Sequence, residues 1–138
     1  MIFDLLRTYL LSESTIATAV QDGSNYRIRP DQIAQGDSYP AILIEVTDED
    51  PLTMLSEVGG LQKAKVTITA LSATRAGATS LGKKIRDKID GLPATVSGTK
   101  IDGTFEGRKN GSEPNEDGSD DCCYWTEIEC ELWWDDAT

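Results

Sequence analysis

The stretch LQKAKVTITAL, residues 61 to 71, sets Ala64, Val66, Ile68 and Ala70 on one side and Lys63, Lys65, Thr67 and Thr69 on the other. Successive side chains of an extended chain point to opposite faces, so this alternation specifies a strand with one buried and one solvated face. CYWTEIECELWW, which ends at Trp134, repeats the pattern as a strand of about a dozen residues. Tyr124, Ile128, Cys130, Leu132 and Trp134 point to a core, while Glu127, Glu129 and Glu131 share the other face between Trp125 and Trp133. AILIEV, residues 41 to 46, is a third half-buried strand, with Ile42, Ile44 and Val46 together and Glu45 opposite.

Helical spacing appears at both sides of these strands. Ile2, Phe3, Leu6, Tyr9 and Leu10 recur at helical intervals, and Ser12 is placed to cap a second short helix holding Ile16, Ala19 and Val20. In SATRAGATSLGKKIRDKIDGLP, Ala78, Leu81, Ile85 and Ile89 form one apolar stripe. Gly91, Leu92 and Pro93 then stop the helix, with Gly91 expected in the left-handed conformation. Gly77 and Gly82 weaken this helix and would let its backbone approach a sheet. The intervening segments read as turns, with a short strand over residues 25 to 29 and a polar connection, TDEDPLTMLSEVGG, in which Pro51 bars a central strand position. ATVSGTKIDGTFEGRK reads as one or two short strands broken by Gly98, Gly103 and Gly107. The expected organisation is a single domain, 1–138, with an acidic mobile loop at 110–121.

The formal net charge of -11 disfavours simple nucleic-acid binding, which needs cations to displace counterions from phosphates. An acidic wall that DNA slides past, or a DNA mimic that occupies a basic partner, fits that charge. Histidine is absent, which removes the usual general base near neutral pH and the commonest metal ligand. No apolar run reaches the roughly 18 residues of a membrane span, and MIFDLLRTYLL lacks the basic leader of a signal peptide. A soluble protein made in a cytoplasm is the expectation.

Three arrangements are candidate sites. Cys122 and Cys130 would stand about 26 Å apart on one strand, so they share neither a metal nor a disulfide, and all three cysteines read as free thiols. Glu113, Asn115, Asp117 and Asp121 partly imitate a calcium loop, but Tyr124 occupies the position of the closing bidentate glutamate. Two carboxylates about 6.6 Å apart could serve a glycosidase, yet any polar strand face spaces Glu127, Glu129 and Glu131 that way, and ion pairs with Lys63 and Lys65 account for them. No catalytic residue, metal or cofactor is assigned. Lys83, Lys84, Arg86 and Lys88 remain, partly explained by the helix dipole and otherwise an electrostatic contact surface.

In order, IFDLLRTYLLSESTIATAV, YPAILIEV, GGLQKAKVTITAL, KKIRDKIDGLP and CCYWTEIECELWW resemble the phage tail-completion, or tail-terminator, family of long-tailed phages, the group that includes the tail terminator of phage lambda. That resemblance implies an α+β fold, a mostly antiparallel β-sheet with two main helices packed on one face. It implies a minor tail protein at the head-tail joint, without enzyme activity, forming a homo-hexameric ring that caps the tail tube. Its partners would be the tail tube protein and a head-tail connector or neck protein, and its place the tail-neck junction of the virion after assembly in the host cytoplasm. The loop bearing Glu113, Glu116, Asp117, Asp120 and Asp121 is more acidic than the family pattern.

The charge pattern adds a suggestion of its own. Lys83, Lys84, Arg86 and Lys88 could meet a neighbour's Glu127, Glu129, Glu131 or acidic loop, with Trp125 and Trp133 covered in the contact, because complementary patches at different places allow head-to-tail association. Surplus carboxylates facing a lumen would repel passing DNA, a non-specific solute there. The competing reading is an acidic inhibitor or DNA mimic that binds a basic partner without self-assembly.

Overall fold

In a computed structural model, which describes residues 2–22, 25–30, 40–51, 61–114 and 121–135, the alternating stretches become neighbours in the middle of one sheet. Helices α1 (Ile2–Leu11) and α2 (Ser14–Val20) lead into short strands β1 (Gln21–Asp22), β2 (Asn25–Tyr26) and β3 (Ile28–Pro30). Strands β4 (Ala41–Pro51) and β5 (Leu61–Ser72) precede α3 (Arg75–Asp90). Strands β6 (Ala94–Val96), β7 (Thr99–Pro114) and β8 (Asp121–Asp135) follow. Among the described residues the main sheet has the order β3-β4-β5-β8-β7-β6, and β1 and β2 form a separate pair. Only β3 and β4 run parallel; the other pairings are antiparallel.

Burial follows strand parity. Ile42 and Ile44 of β4, Ala64, Val66, Ile68 and Ala70 of β5, and Ile128, Cys130, Leu132 and Trp134 of β8 are each at most 2% exposed. They join Ile2, Leu6, Leu10, Ile16, Ile85 and Ile89 of the helices in one apolar cluster. Each such isoleucine or leucine contributes about 1.5–3 kcal/mol on burial, more than the about 1 kcal/mol that a glycine costs a helix. The apolar stripe of α3 therefore outweighs Gly77 and Gly82.

Thr74 caps α3, its hydroxyl accepting from the Gly77 amide at 3.0 Å. Gly82 lies against β8 as its spacing suggested: a Cβ there would stand 2.5 Å from Thr126 Cγ2. Gly91 ends the helix for a different reason from the one expected. Its φ is -79°, ordinary right-handed backbone, but a Cβ would meet Lys88 O and the Tyr9 hydroxyl, both at 3.2 Å. That hydroxyl donates to Lys88 O at 2.7 Å, tying α1 to the last turn of α3.

Other local expectations are corrected. Ser12 does not cap α2: its hydroxyl donates back to Tyr9 O, and Glu13 holds the cap position with no side-chain capping bond to a backbone amide. The expected strand at 25 to 29 divides at Arg27, whose amide donates to Val20 O and whose carbonyl accepts from Ile42 N. The buried Arg27 guanidinium is satisfied by Pro40 O at 2.8 Å and Gln21 O at 3.2 Å, which offsets its desolvation.

β4 runs on to Pro51, with a register shift between Thr47 and Asp50. β3 pairs only with Ile42, Leu43 and Ile44, so the far edge of β4 has no partner strand from Glu45 onward among the described residues, and a proline amide is not missed there. Nor do glycines break β7. Ser97 and Gly98, with φ of 50° and 83°, make the two-residue turn into it. Gly103 and Gly111 instead make room for Leu132 and the Trp125 indole, and Gly107 follows a register shift after Phe105. Residues 110–114, read as the start of a loop, are strand, and Asp121 opens β8. Residues 115–120 lie outside the described residues.

Gly82→Ala tests the close contact of α3 with β8. Helix propensity would gain up to about 1 kcal/mol, whereas overpacking costs about 1–3 kcal/mol. Thr126 is fixed by its hydroxyl bond to Asn110 Oδ1 at 2.8 Å and cannot withdraw freely. A lower urea midpoint with an unchanged slope is expected; a raised midpoint would contradict the packing argument.

Candidate functional site

Register extends the acidic face of β8 across four strands. One row carries Leu43, Thr69, Glu127 and Lys109; the next carries Glu45, Thr67, Glu129 and Gly107. Thr47, Lys65, Glu131 and Thr104 follow, then Lys63, Trp133 and Asp102. All lie opposite the core by parity, and Glu127, Glu129, Glu131, Trp125 and Trp133 are half-buried.

The expected ion pairs with Lys63 and Lys65 are not formed. Among the described residues Glu129 is paired by Lys109 of β7, at 3.2 Å. Glu129 stands opposite Thr67 and Gly107, so its cation reaches it diagonally from one row away. The pair's side chains are 67% and 39% exposed, and it contributes about 0–1 kcal/mol. Carboxylates about 6.6 Å apart along β8 thus keep most of their mutual repulsion. They form a negative surface.

At one end the same face is apolar. Ala41, Leu71, Trp125 and Gly111 stand in a row, and Leu71 is 7% exposed although its parity is that of the lysines. The Trp125 indole covers Gly111, so part of its burial comes from within the chain. Sequence reading missed this row, because Gly111 was assigned to a loop and the signal appears only once the β7–β8 register is known.

The basic run on α3 divides into two flanks. Positions 84 and 88 lie about 40° apart around a helix, and position 86 about 200° from 84. Lys88 Nζ sits 4.6 Å from the Tyr9 ring centre, and Lys84 and Lys88 border an open hollow with Glu13, Thr15 and Asp87. Arg86 turns toward β7, 4.2 Å from the Phe105 ring centre and 3.7 Å from Asp90 Oδ2. Lys83 is exposed. Arg86 is thus engaged within the chain.

Cys130 is buried, as read from its parity, with Sγ 3.6 Å from Val66 O. Burial, reinforced by the Glu106 charge, pushes its thiol up to about 12, so it is no nucleophile at neutral pH. Of the acidic loop candidates, Glu113 and Asp121 fall on β7 and β8, while Glu116, Asp117 and Asp120 lie outside the described residues. Among the described residues no group of three or more histidine, cysteine or acidic side chains is placed to hold a metal, and no helix is long and apolar enough to cross a membrane.

The sequence profile of the tail completion protein gp17 family matches residues 4–119. No curated protein sequence matches the chain. A chain of the solved virion of a native gene transfer agent particle is similar in fold, at a TM-score of 0.63 and 13% identity, covering 96% of this chain and 92% of that one. A second solved chain matches at a TM-score of 0.47 and 11% identity, with coverage of 95% and 94%.

Cys130 yields a direct check on the buried face. Iodoacetamide at pH 8.5 should leave it unmodified in the native protein and alkylate it in urea, as read by peptide mass spectrometry. The folded thiol's value is raised, so its stabilising effect is present below about 9 and is lost between about 9 and 12. Cys130→Ala should therefore lose less stability than the wild type across that window; equal pH profiles, or native labelling, would contradict the assigned burial.

Proposed function

The chain belongs to the tail completion protein gp17 family, and from that premise we propose that it caps a phage tail tube as a ring. In this reading it is a structural virion protein that ends tail polymerisation and offers the docking surface for the head connector at the tail-neck junction. The observation that carries the proposal is the family match across residues 4–119. The similarity in fold to a chain of a gene transfer agent virion is consistent with it. No catalytic step is assigned.

The ring is homo-hexameric in this reading, with the tail tube protein below it and a connector or neck protein above. The helices cover one face of the sheet, and the opposite face, bearing Glu127, Glu129 and Glu131, is available to a neighbour or a lumen. Lys84, at the border of the open hollow, is the cation best placed to meet a neighbouring copy, with Lys88 beside it on the Tyr9 ring, since Arg86 is held by both Phe105 and Asp90. Lys83 adds a smaller share. Trp133, half-buried between Lys63 and Asp102 in register, is the aromatic that such a contact would cover. The acidic segment with Glu113, Glu116, Asp117, Asp120 and Asp121 points to the lumen or to a partner, where it repels passing DNA.

Native mass spectrometry of the purified protein tests this contact. Lys84→Glu with Lys88→Glu should raise the concentration needed for ring formation at least tenfold, about 1.4 kcal/mol, and salt should narrow the gap to wild type. Lys83→Glu with Arg86→Glu should have a smaller effect. Equal assembly of all three proteins would remove the charge contact.

A further inference from the structure

The helix-covered side of the sheet carries a cationic strip between α3 and β7. Arg75 and Arg86 stand about three turns apart on α3, roughly 16 Å. Arg75 lies 5.1 Å from the Tyr124 ring centre, and Arg86 4.2 Å from that of Phe105. Arg108 of β7 is opposite Ile128, a core residue, so parity puts it on this side too, whereas Asp102 and Lys109, opposite Trp133 and Glu127, take the other face. Glu106 lines a hollow of that other face with Thr67 and Glu129, and Asp87 borders the hollow on the far flank of α3. Arg75, Lys83, Arg86 and Arg108 thus face only Asp90 here, which shares Arg86 at 3.7 Å. All four cations are exposed, and among the described residues Arg75, Lys83 and Arg108 have no ion-pair partner.

The complement of that strip lies elsewhere on the chain. β5 pairs with β8 as far as Ser72 and Tyr124, whereas β7 and β8 stay paired beyond it, Glu113 opposite Cys123 and Pro114 opposite Asp121. The two strands therefore leave the sheet as an arm. Residues 113–121 at its end contain Glu113, Glu116, Asp117, Asp120 and Asp121 and no cation. The strip of the same copy runs back from the base of this arm. Arg108 is level with Ile128, so along β8 it stands roughly 23 Å behind Asp121. A second copy has no such constraint on how its arm approaches.

We infer that the strip between α3 and β7 of one copy receives the acidic arm, residues 113–121, of the next. The inference rests on the ring reading and gives the arm its partner. An arginine stacked on an aromatic ring keeps its fork of N–H donors for a carboxylate and has little freedom left to lose when one arrives. Arg75 and Arg108 are the principal receivers, since Arg86 is shared with Asp90. Strip and arm are different parts of the chain, so every copy gives one arm and receives another, which is head-to-tail association. Lys84 and Lys88 lie on the other flank of α3, so mutation separates their contact from this one.

Carbodiimide coupling, which joins a carboxylate to a lysine in contact with it, tests the placement. Assembled wild-type protein made from equal parts of unlabelled and heavy-isotope-labelled chains should give mixed-label cross-links between Lys83 and residues 113–121. Rings whose links to Lys83 stay within one copy, or that give none, would overturn the inference and leave the ring reading intact. Charge reversal is the second test, read by native mass spectrometry. Arg75→Glu with Arg108→Glu, and separately Glu116→Lys with Asp117→Lys, should melt as folded protein yet need at least tenfold more protein to assemble. An equal mixture of the two variants should assemble as the wild type does, because each arm then meets a strip of opposite sign. Unchanged assembly of either variant alone, or no recovery in the mixture, would overturn the arm contact. Absence of any wild-type assembly, in solution or on tails, would overturn the ring reading with it.

Discussion

The structure depends on β8 being paired along both sides while its two faces meet different surroundings. From Tyr124 to Trp134 every residue has a partner on β5 and another on β7. A slip of one residue would place Glu127, Glu129 and Glu131 in the core and Ile128, Cys130 and Leu132 in water. Burial of the apolar set fixes the register, and the register displays the carboxylates. The acidic face is therefore a consequence of the core, and stability and surface charge cannot be altered independently on this strand.

Helices α1 and α3 reinforce that core by unlike means. α3 gains its close approach to β8 from the missing side chain at Gly82, against a threonine fixed by Asn110. α1 is secured through Tyr9, which reaches the end of α3 with its hydroxyl and lies beneath Lys88 with its ring. These contacts hold Lys88 and Arg86 on different sides of the same helix. Four cations in a short run thus become two surfaces, one with Lys84 and Lys88 half-buried and one with Lys83 and Arg86 exposed.

Parity in residues 61 to 71 and 124 to 134 was legible from sequence because a strand with one buried face leaves no other placement for its apolar residues. The apolar stripe of α3 was legible for the same reason. What the sequence did not disclose depended on tertiary partners. Gly91 works by lack of volume beside Tyr9, and Gly111 by lying beneath Trp125; neither partner is near in sequence. β7 runs through three glycines because neighbours fill or bend around them, which propensity alone reads as breaks. Arg27 divides a strand by backbone hydrogen bonds to Val20 and Ile42, and its guanidinium is satisfied by Pro40 and Gln21, none of which a local pattern signals. Among the candidate site residues, the placement of Glu127, Glu129 and Glu131 on one face was readable, whereas the pairing of Glu129 by Lys109 was not.

The chain belongs to the tail completion protein gp17 family, and the proposed account is that copies of it close a ring at the tail end. The most direct measurement of that account is electron microscopy of tails assembled with and without this chain. Tails made with it should be uniform in length and end in a ring of this protein, and tails made without it should lack the ring and overrun in length. Equal length distributions in the two preparations, with no added density at the tail end, would contradict it.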